Sequence, residues 1–240
     1  MEAKILKTEA IILRATNYGE ADRILQMITP QGKISAIAKG VRKEKAKLTG
    51  ALAVFSKSEV VLRWGKSKMA MVTGAKLERY FGGLTKDIER LSRAGALLSE
   101  ISKRAENADS EEWLSLLEEA LGVLDEGEKG LSGSFALWWH LNTRRVSGEE
   151  VNLWTDVKGE KLKEDQSYFW NKRQEAMEKL ARGGTVAEEK AELTHEENAV
   201  FSSKEIKAFR FLSSQPFALV KRIKDIKKLD ESARVFLKLL

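Results

Sequence analysis

Residues 24–39 read ILQMIT, PQG and KISAIAK, and these three pieces decide the fold. In the third piece, Ile34, Ala36 and Ala38 fall on one side of an extended chain, because successive side chains of a strand alternate. The opposite side carries Lys33, Ser35, Ile37 and Lys39. The PQG piece, residues 30–32, is typical of the connections that join two strands of a hairpin. The stretch therefore predicts two antiparallel strands.

Three further strand candidates lie on either side of this hairpin. They are residues 5–13, 58–64 and 68–77, and the last two are joined around residues 65–67. Five short strands within residues 1–80, without a strong helical pattern, predict a small closed or partly closed barrel. The OB-fold is such a barrel, with five strands. An SH3-like barrel fits the pattern nearly as well, so the pattern alone leaves both open.

The pattern changes near residues 81–83, after which apolar residues recur at helical spacing. The predicted helices cover residues 84–101, 110–124, 132–146 and 166–181. Helical patterning resumes over residues 206–239, with a break at Pro216. We therefore expect an α+β protein with two domains. These are an OB-fold β-barrel over residues 1–80 and an all-α helical domain over residues 81–240.

Charge is distributed unevenly along the chain. Residues 1–80 hold 16 Lys and Arg against 7 Asp and Glu, residues 81–196 hold 16 against 24, and residues 197–240 hold 10 against 5. A strongly basic first third beside an acidic middle indicates a polyanionic partner, most often nucleic acid.

Several classes of protein are excluded or disfavoured by composition. No run of about 18 apolar residues is present, and the first residues do not form a signal peptide, so we expect a soluble cytoplasmic protein. The chain has no cysteine, which excludes disulfides, thiolate nucleophiles and Cys-based zinc sites. His140 and His195 are the two histidines and do not have metal-ligand spacing. No phosphate-binding glycine motif occurs, so we expect no enzyme, metal or cofactor.

Cations cluster at three places that barrel loops can present to a phosphate backbone. The densest is the loop over residues 39–47, and a second surrounds the turn at residues 65–67. A third flanks residues 17–19, where Tyr18 can stack on a base. The candidate DNA-binding residues are Arg14, Arg23, Lys39, Arg42, Lys43, Lys45, Lys47, Arg63, Lys66 and Lys68. The alternative is that individual cations only keep the surface soluble. Trp113, Trp138 and Trp139 lie among leucines at helical spacing, which favours a core role over a stacking platform.

Three motifs in this part of the chain resemble those of one known family. Residues 9–25 read EAIILRATNYGEADRIL, residues 29–43 read TPQGKISAIAKGVRK and residues 48–56 read LTGALAVFS. In this order and spacing they are similar to the bacterial RecO family of recombination mediators. The later helices are similar in pattern but not diagnostic.

The resemblance implies an OB-fold followed by a helical domain, in a cytoplasmic protein associated with the nucleoid. It implies binding of single- and double-stranded DNA, annealing of complementary strands, and help in loading RecA onto single strands coated by single-strand-binding protein. The implied protein partners are RecR and the acidic C-terminal tail of single-strand-binding protein. Many family members carry a four-cysteine zinc module in the helical domain. This chain has no cysteine, and we expect the remnant of that module at residues 151–196.

The basic end of the chain is the candidate site for such an acidic, hydrophobic-ended tail. The candidate residues there are Phe209, Phe211, Lys221, Arg222 and Lys224. The alternative is an amphipathic helix that packs on the core and exposes a cationic face. Two other classes of function stay open on residues alone: an RNA-binding OB-fold accessory protein, and a protein adaptor that does not bind DNA.

Overall fold

The computed structural model describes residues 4–44, 46–65, 69–105, 110–128, 130–180, 199–220, 222–223 and 225–240. The chain forms two compact units, Met1–Gly127 and Glu128–Leu240. Within the described residues, no helix is both long enough and apolar enough to cross a membrane.

Unit 1 begins with a closed five-stranded barrel. Its strands are β1 (Ile5–Tyr18), β2 (Asp22–Thr29), β3 (Gly32–Ala38), β4 (Ser56–Arg63) and β5 (Ala70–Tyr80). Their order around the barrel is β1-β2-β3-β5-β4, with β4 again beside β1. All neighbouring pairs are antiparallel except β3 and β5, which are parallel. This is the OB-fold topology, so the predicted OB-fold is confirmed over the SH3-like alternative.

The barrel closes because β1 is long enough to serve two neighbours. Its first half pairs with β4, from Ile5 opposite Arg63 to Ile11 opposite Lys57. Its second half pairs with β2, as far as Tyr18 opposite Asp22. The register shifts between residues 12 and 14, where an irregularity bends the strand from one neighbour to the other.

Alternate residues of the strands fill the barrel. The interior includes Ile12, Leu25, Met27, Ala36, Ala38, Val60, Leu62 and Val72. Full burial of a Val, Leu, Ile or Met side chain contributes about 1.5–3 kcal/mol relative to exposure. The small residues Ala36 and Ala38 face inward on β3, while Ile37 between them faces outward. The hairpin predicted from residues 24–39 is therefore present with the predicted alternation.

Two helices complete unit 1 and pack against the barrel. A 3-10 turn (Gly82–Lys86) leads into α1 (Ile88–Arg104), and α2 (Ser110–Glu126) follows. The Lys57 ammonium of β4 lies 2.8 Å from a carboxylate oxygen of Glu118 on α2 and 3.1 Å from one of Glu9 on β1. Burial lowers the pKa of Lys57, but hydrogen bonds to both carboxylates outweigh it, so the pKa is raised. This ion cluster fixes α2 on the barrel.

Unit 2 combines helices with a small sheet. Its elements are α3 (Ser132–Val146), β6 (Ser167–Asn171), β7 (Ala176–Lys179), β8 (Val200–Ser202), α4 (Ser203–Ser214), α5 (Phe217–Val220) and α6 (Ile226–Leu239). The strand order is β7-β6-β8. Phe209 stacks on Phe236 with ring centroids 4.8 Å apart, and Phe201 and Trp170 meet these rings edge-on. The unit thus has its own aromatic core.

The α+β class, with a barrel first and helices after it, is confirmed. The helix predicted over residues 166–181 is wrong, since residues 167–179 form β6, a turn and β7. Tyr168 and Trp170 are buried and the residues beside them are half-buried, a period of two that suits a strand. The helical region therefore contains a sheet. Of the stretch proposed as a zinc-module remnant, residues 151–180 are described and residues 181–198 lie outside the described residues.

The predicted boundary at residue 81 marks the change from strands to helices, because β5 ends at Tyr80 and the 3-10 turn begins at Gly82. The compact units divide later, after Gly127. The reason is that α1 and α2 pack on the barrel and belong to its unit. Trp113 and Trp138 are almost completely buried and Trp139 is buried, as expected for core residues.

Two glycines of unit 1 allow a matched test of this packing. A Cβ at Gly83 would lie 2.3 Å from the carbonyl oxygen of Asp125, whereas one at Gly95, in α1, would meet nothing within 4 Å. We expect Gly83→Ala to destabilise the protein by about 1–3 kcal/mol through overpacking. Gly95→Ala should stabilise it by about 0.5–1 kcal/mol through helix propensity. Urea unfolding measures both, and equal free energies of unfolding for the two variants would contradict the packing described.

Candidate nucleic-acid interface

An apolar row crosses the outside of the barrel. Ile24 of β2 lies opposite Ile37 of β3, and Ile37 lies opposite Met71 of β5. These residues alternate with the inward-facing ones, so their side chains point away from the barrel interior. Ile28 has the same outward parity as Ile24 but is fully buried, and α2 packs against this strand. The helices thus cover one end of this outer surface and leave the other end accessible.

The open end of the row is the floor of a cavity of about 750 Å³. Tyr18, Lys39, Arg63, Gly65 and Met69 complete its lining. Tyr18 is 55% exposed, and Met69 and Met71 are each more than one third exposed. The cavity is therefore an apolar groove with an accessible aromatic ring and two cations. We call it the barrel groove.

The basic loop after β3 is held against the turn between β1 and β2. The amide of Gly40 donates to a carboxylate oxygen of Asp22 at 2.7 Å, and the amide of Arg42 donates to the carbonyl of Ala21 at 2.9 Å. The Arg42 guanidinium also donates to the carbonyl of Gly19 at 3.1 Å. Gly40 has φ of +64°, a conformation that favours glycine. These bonds fix the loop next to Tyr18.

The predicted DNA-binding residues fall into three groups. Tyr18, Lys39 and Arg63 line the barrel groove. Arg42, Lys43 and Lys47 are exposed in the basic loop, and Arg14 is exposed on β1. Arg23 is half-buried, and its Nε donates to the Asn17 side chain at 3.3 Å. Lys45, Lys66 and Lys68 lie outside the described residues.

The candidates for binding a partner tail lie in unit 2 and differ in accessibility. Phe209 is completely buried in the aromatic core, so its ring is not available to a peptide at the surface. Phe211 is half-buried and Arg222 is exposed. Lys221 and Lys224 lie outside the described residues.

The groove floor was missed by the sequence reasoning, which looked for cations. Ile24, Ile37, Met69 and Met71 carry no charge, and in the sequence nothing distinguishes them from other strand residues. The one signal in the sequence is Ile37, which shares a strand face with Lys33 and Lys39. A single exposed apolar residue is ordinary, and only its pairing with Ile24 and Met71 forms an apolar patch of the kind that marks a binding surface.

The described residues contain no group of three or more His, Asp or Glu side chains arranged to hold a metal ion. The barrel groove is built from apolar side chains, one phenol and two cations instead. Unit 1 is thus an OB-fold domain whose groove lies over β2 and β3, the face that OB-folds use for oligonucleotides.

Comparisons with known proteins agree with this class. Residues 1–81 match the family described as Recombination protein O N terminal. The chain is similar to the DNA repair protein RecO of Heliobacterium modesticaldum, 34% identical over 115 residues, which are 48% of this chain and 42% of that protein. It is 36% identical to that of Alkaliphilus metalliredigens over 126 residues, which are 52% and 51% of the two chains. It is 51% identical to one from Dehalococcoides mccartyi over 76 residues, 31% and 30% of the two chains.

The resemblance to the RecO family is therefore confirmed for the N-terminal part of the chain, where residues 1–81 match the model of that family. The matches span about half or less of the length of these curated relatives.

The anchoring of the basic loop can be tested through Asp22. Asp22→Ala removes the acceptor of the Gly40 amide, so we expect faster hydrogen exchange at Gly40 and Arg42. The free energy of unfolding should fall by about 1 kcal/mol. Glu20→Ala is the matched control, because Glu20 is exposed in the same turn. Exchange at Gly40 that stays as slow as in the wild type would show that Asp22 does not hold the loop.

Proposed function

We propose that this chain is a recombination mediator in DNA repair that binds single-stranded DNA in the barrel groove. The observation that supports this most directly is the outward apolar row of Ile24, Ile37 and Met71 beside Tyr18, Lys39 and Arg63. The relatives named DNA repair protein RecO support the same process. The protein acts by binding rather than by catalysis.

The groove suits unpaired bases. Base faces are apolar and stack on aromatic side chains, and a ring of this kind is offered by Tyr18 at the end of β1. The apolar floor receives bases that duplex DNA keeps stacked inside its helix. Lys39 and Arg63 neutralise the phosphates that flank a bound base. Such contacts read few base edges, so binding tolerates any sequence and weakens steeply with salt.

The basic loop gives a second kind of contact. Arg42 and Lys43 are exposed and can reach phosphates without any base leaving its stack. Backbone contacts of this kind serve single and double strands alike. We propose that the loop provides the duplex binding and, with the groove, supports annealing of complementary strands.

The remaining parts of the proposal follow from the resemblance to the RecO family. The protein helps to load RecA onto strands coated by single-strand-binding protein, and it associates with the nucleoid in the cytoplasm. RecR and the tail of single-strand-binding protein are the proposed protein partners. Arg222 and the half-buried Phe211 stay candidates for the tail.

The test compares two exposed tyrosines that each end a strand. Tyr18→Ala removes the stacking ring of the groove, while Tyr80→Ala removes a ring that is 46% exposed at the end of β5. We expect Tyr18→Ala to weaken binding of a dT oligomer about tenfold, the worth of one base stack. Tyr80→Ala should bind like the wild type. Fluorescence anisotropy at low salt measures both.

A charge pair extends the test. Lys39→Glu should make the negative slope of log affinity against log salt less steep by about 0.7, because one phosphate contact is lost. Lys86→Glu should leave the slope unchanged. If the Tyr18→Ala and Lys39→Glu variants both bind the oligomer like the wild type, the binding site is not the groove. No binding at low salt would favour a protein adaptor. Tighter binding of a matched RNA oligomer would favour an RNA-binding accessory protein.

A further inference from the structure

Residues 154–162 of unit 2 form a tight hairpin. The amide of Leu162 donates to the carbonyl of Trp154 at 3.1 Å, and Thr155 forms an antiparallel β-bridge with Lys161. At the tip, the carboxylate of Asp156 accepts the amides of Lys158 and Glu160, each at 2.9 Å. The hairpin is therefore ordered by its own hydrogen bonds.

Trp154 at the base of the hairpin is unusual among the six tryptophans. It is 60% exposed, whereas Trp113, Trp138, Trp139 and Trp170 are buried. Its amide donates to the Asn152 side chain at 3.0 Å, so its backbone is fixed. Its indole is therefore accessible on a backbone that is held in place, and an accessible aromatic ring is the group on which an unpaired base stacks.

Arg210 of α4 covers part of this indole. Its guanidinium carbon lies 4.5 Å from the ring centroid, and its Nε donates to the carbonyl of Leu153 at 2.7 Å. Within the described residues, its two terminal nitrogens make no hydrogen bond or ion pair. Burial lowers the pKa of Arg210 from its ordinary value, but an arginine stays charged in proteins. The structure thus presents a cation that is held by its Nε, with two donor nitrogens, next to an exposed ring.

The charges around this pair favour an anion. Lys158, Lys161 and Lys163 are exposed on or just after the hairpin. Among the nearby acids, Asp156 is turned inward onto backbone amides, and Glu164 is paired with Lys207, which lowers the pKa of Glu164. Glu160 and Asp165 are the other exposed acids of this stretch, against the three lysines and Arg210.

The space beside Arg210 limits what the anion can be. A cavity of about 60 Å³ is lined by Arg210, Lys163, Lys207, Glu164, Ser203 and Ile206, among others. That volume has room for about two water molecules, and so for phosphate oxygens but not for a base. A base next to such a phosphate has to lie outside the cavity, where Trp154 is exposed.

We propose that Trp154 and Arg210, with Lys163, form a second contact for single-stranded nucleic acid. A base stacks on the exposed part of the indole, and a neighbouring phosphate bonds to the terminal nitrogens of Arg210. That the ligand is single-stranded nucleic acid rests on the proposed function. The residues themselves are separate from the barrel groove and lie in the other unit. One chain then contacts single strands at two places.

The test uses the full chain and a dT oligomer of about 10 nucleotides, within the range that one OB-fold covers. The barrel groove is disabled by combining Tyr18→Ala with Lys39→Glu. In this background at low salt, we expect the oligomer to quench tryptophan fluorescence and Trp154→Phe to abolish that quenching. By anisotropy, adding Trp154→Ala should lower the remaining affinity about tenfold, and Trp154→Phe should lower it less, because phenylalanine still stacks.

A pair of lysine variants supplies the matched control. Lys163→Glu should weaken the remaining binding and reduce its salt dependence, while Lys227→Glu, the same change at an exposed position of α6, should not.

Wild-type binding without any change in Trp154 fluorescence would overturn the second contact and leave the proposed function standing. Loss of all binding in the groove-disabled protein would overturn it too, because the contact would not bind independently. Quenching of Trp154 by an acidic peptide but not by the oligomer would make this surface a peptide site and overturn the proposal. If the wild type binds no oligomer at low salt, the proposed function fails together with the second contact.

Discussion

The double pairing of β1 is the constraint on which unit 1 depends. Because β1 pairs with β4 over one half and β2 over the other, the sheet has no free edge at this strand, and β3 must meet β5 to complete the circle. That parallel contact is short, with Ala36 opposite Ala70 and Ile37 opposite Met71. The same contact brings two apolar outward residues side by side. The same contact between β3 and β5 therefore closes the barrel and places Ile37 beside Met71 on the groove floor.

Much of the fold could be predicted because its signals are local. The alternation in residues 33–39, the turn at residues 30–32 and the helical spacing after residue 81 each depend on neighbours in the sequence. The sheet of unit 2 was missed because β6 is only five residues long and its apolar residues, Phe169 and Trp170 among them, also fit a helical face. The choice between an OB-fold and an SH3-like barrel depended on strand pairing, which periodicity does not contain.

The candidate site was predicted only in part, for a similar reason. Cations such as Lys39 and Arg63 stand out in the sequence, but their meeting at one groove depends on pairing between strands far apart in the chain. Outward-facing Met69 and Met71 are indistinguishable in sequence from core methionines. Phe209, a candidate for binding a partner tail, lies in the core instead, because an aromatic residue at helical spacing fits a buried face as well as an exposed one. Local patterns show which residues share a face, and only the tertiary structure shows which faces are covered.

The bonds between the basic loop and the β1–β2 turn affect the conformational entropy of binding. A loop that orders only when its ligand arrives loses backbone freedom at that moment, which weakens the complex. Here the Gly40 and Arg42 amides are already bonded, and Val41 between them is 2% exposed. A ligand that reaches this surface restricts mainly the ends of long side chains. Complex formation should accordingly show little of the unfavourable ordering that accompanies coupled folding and binding.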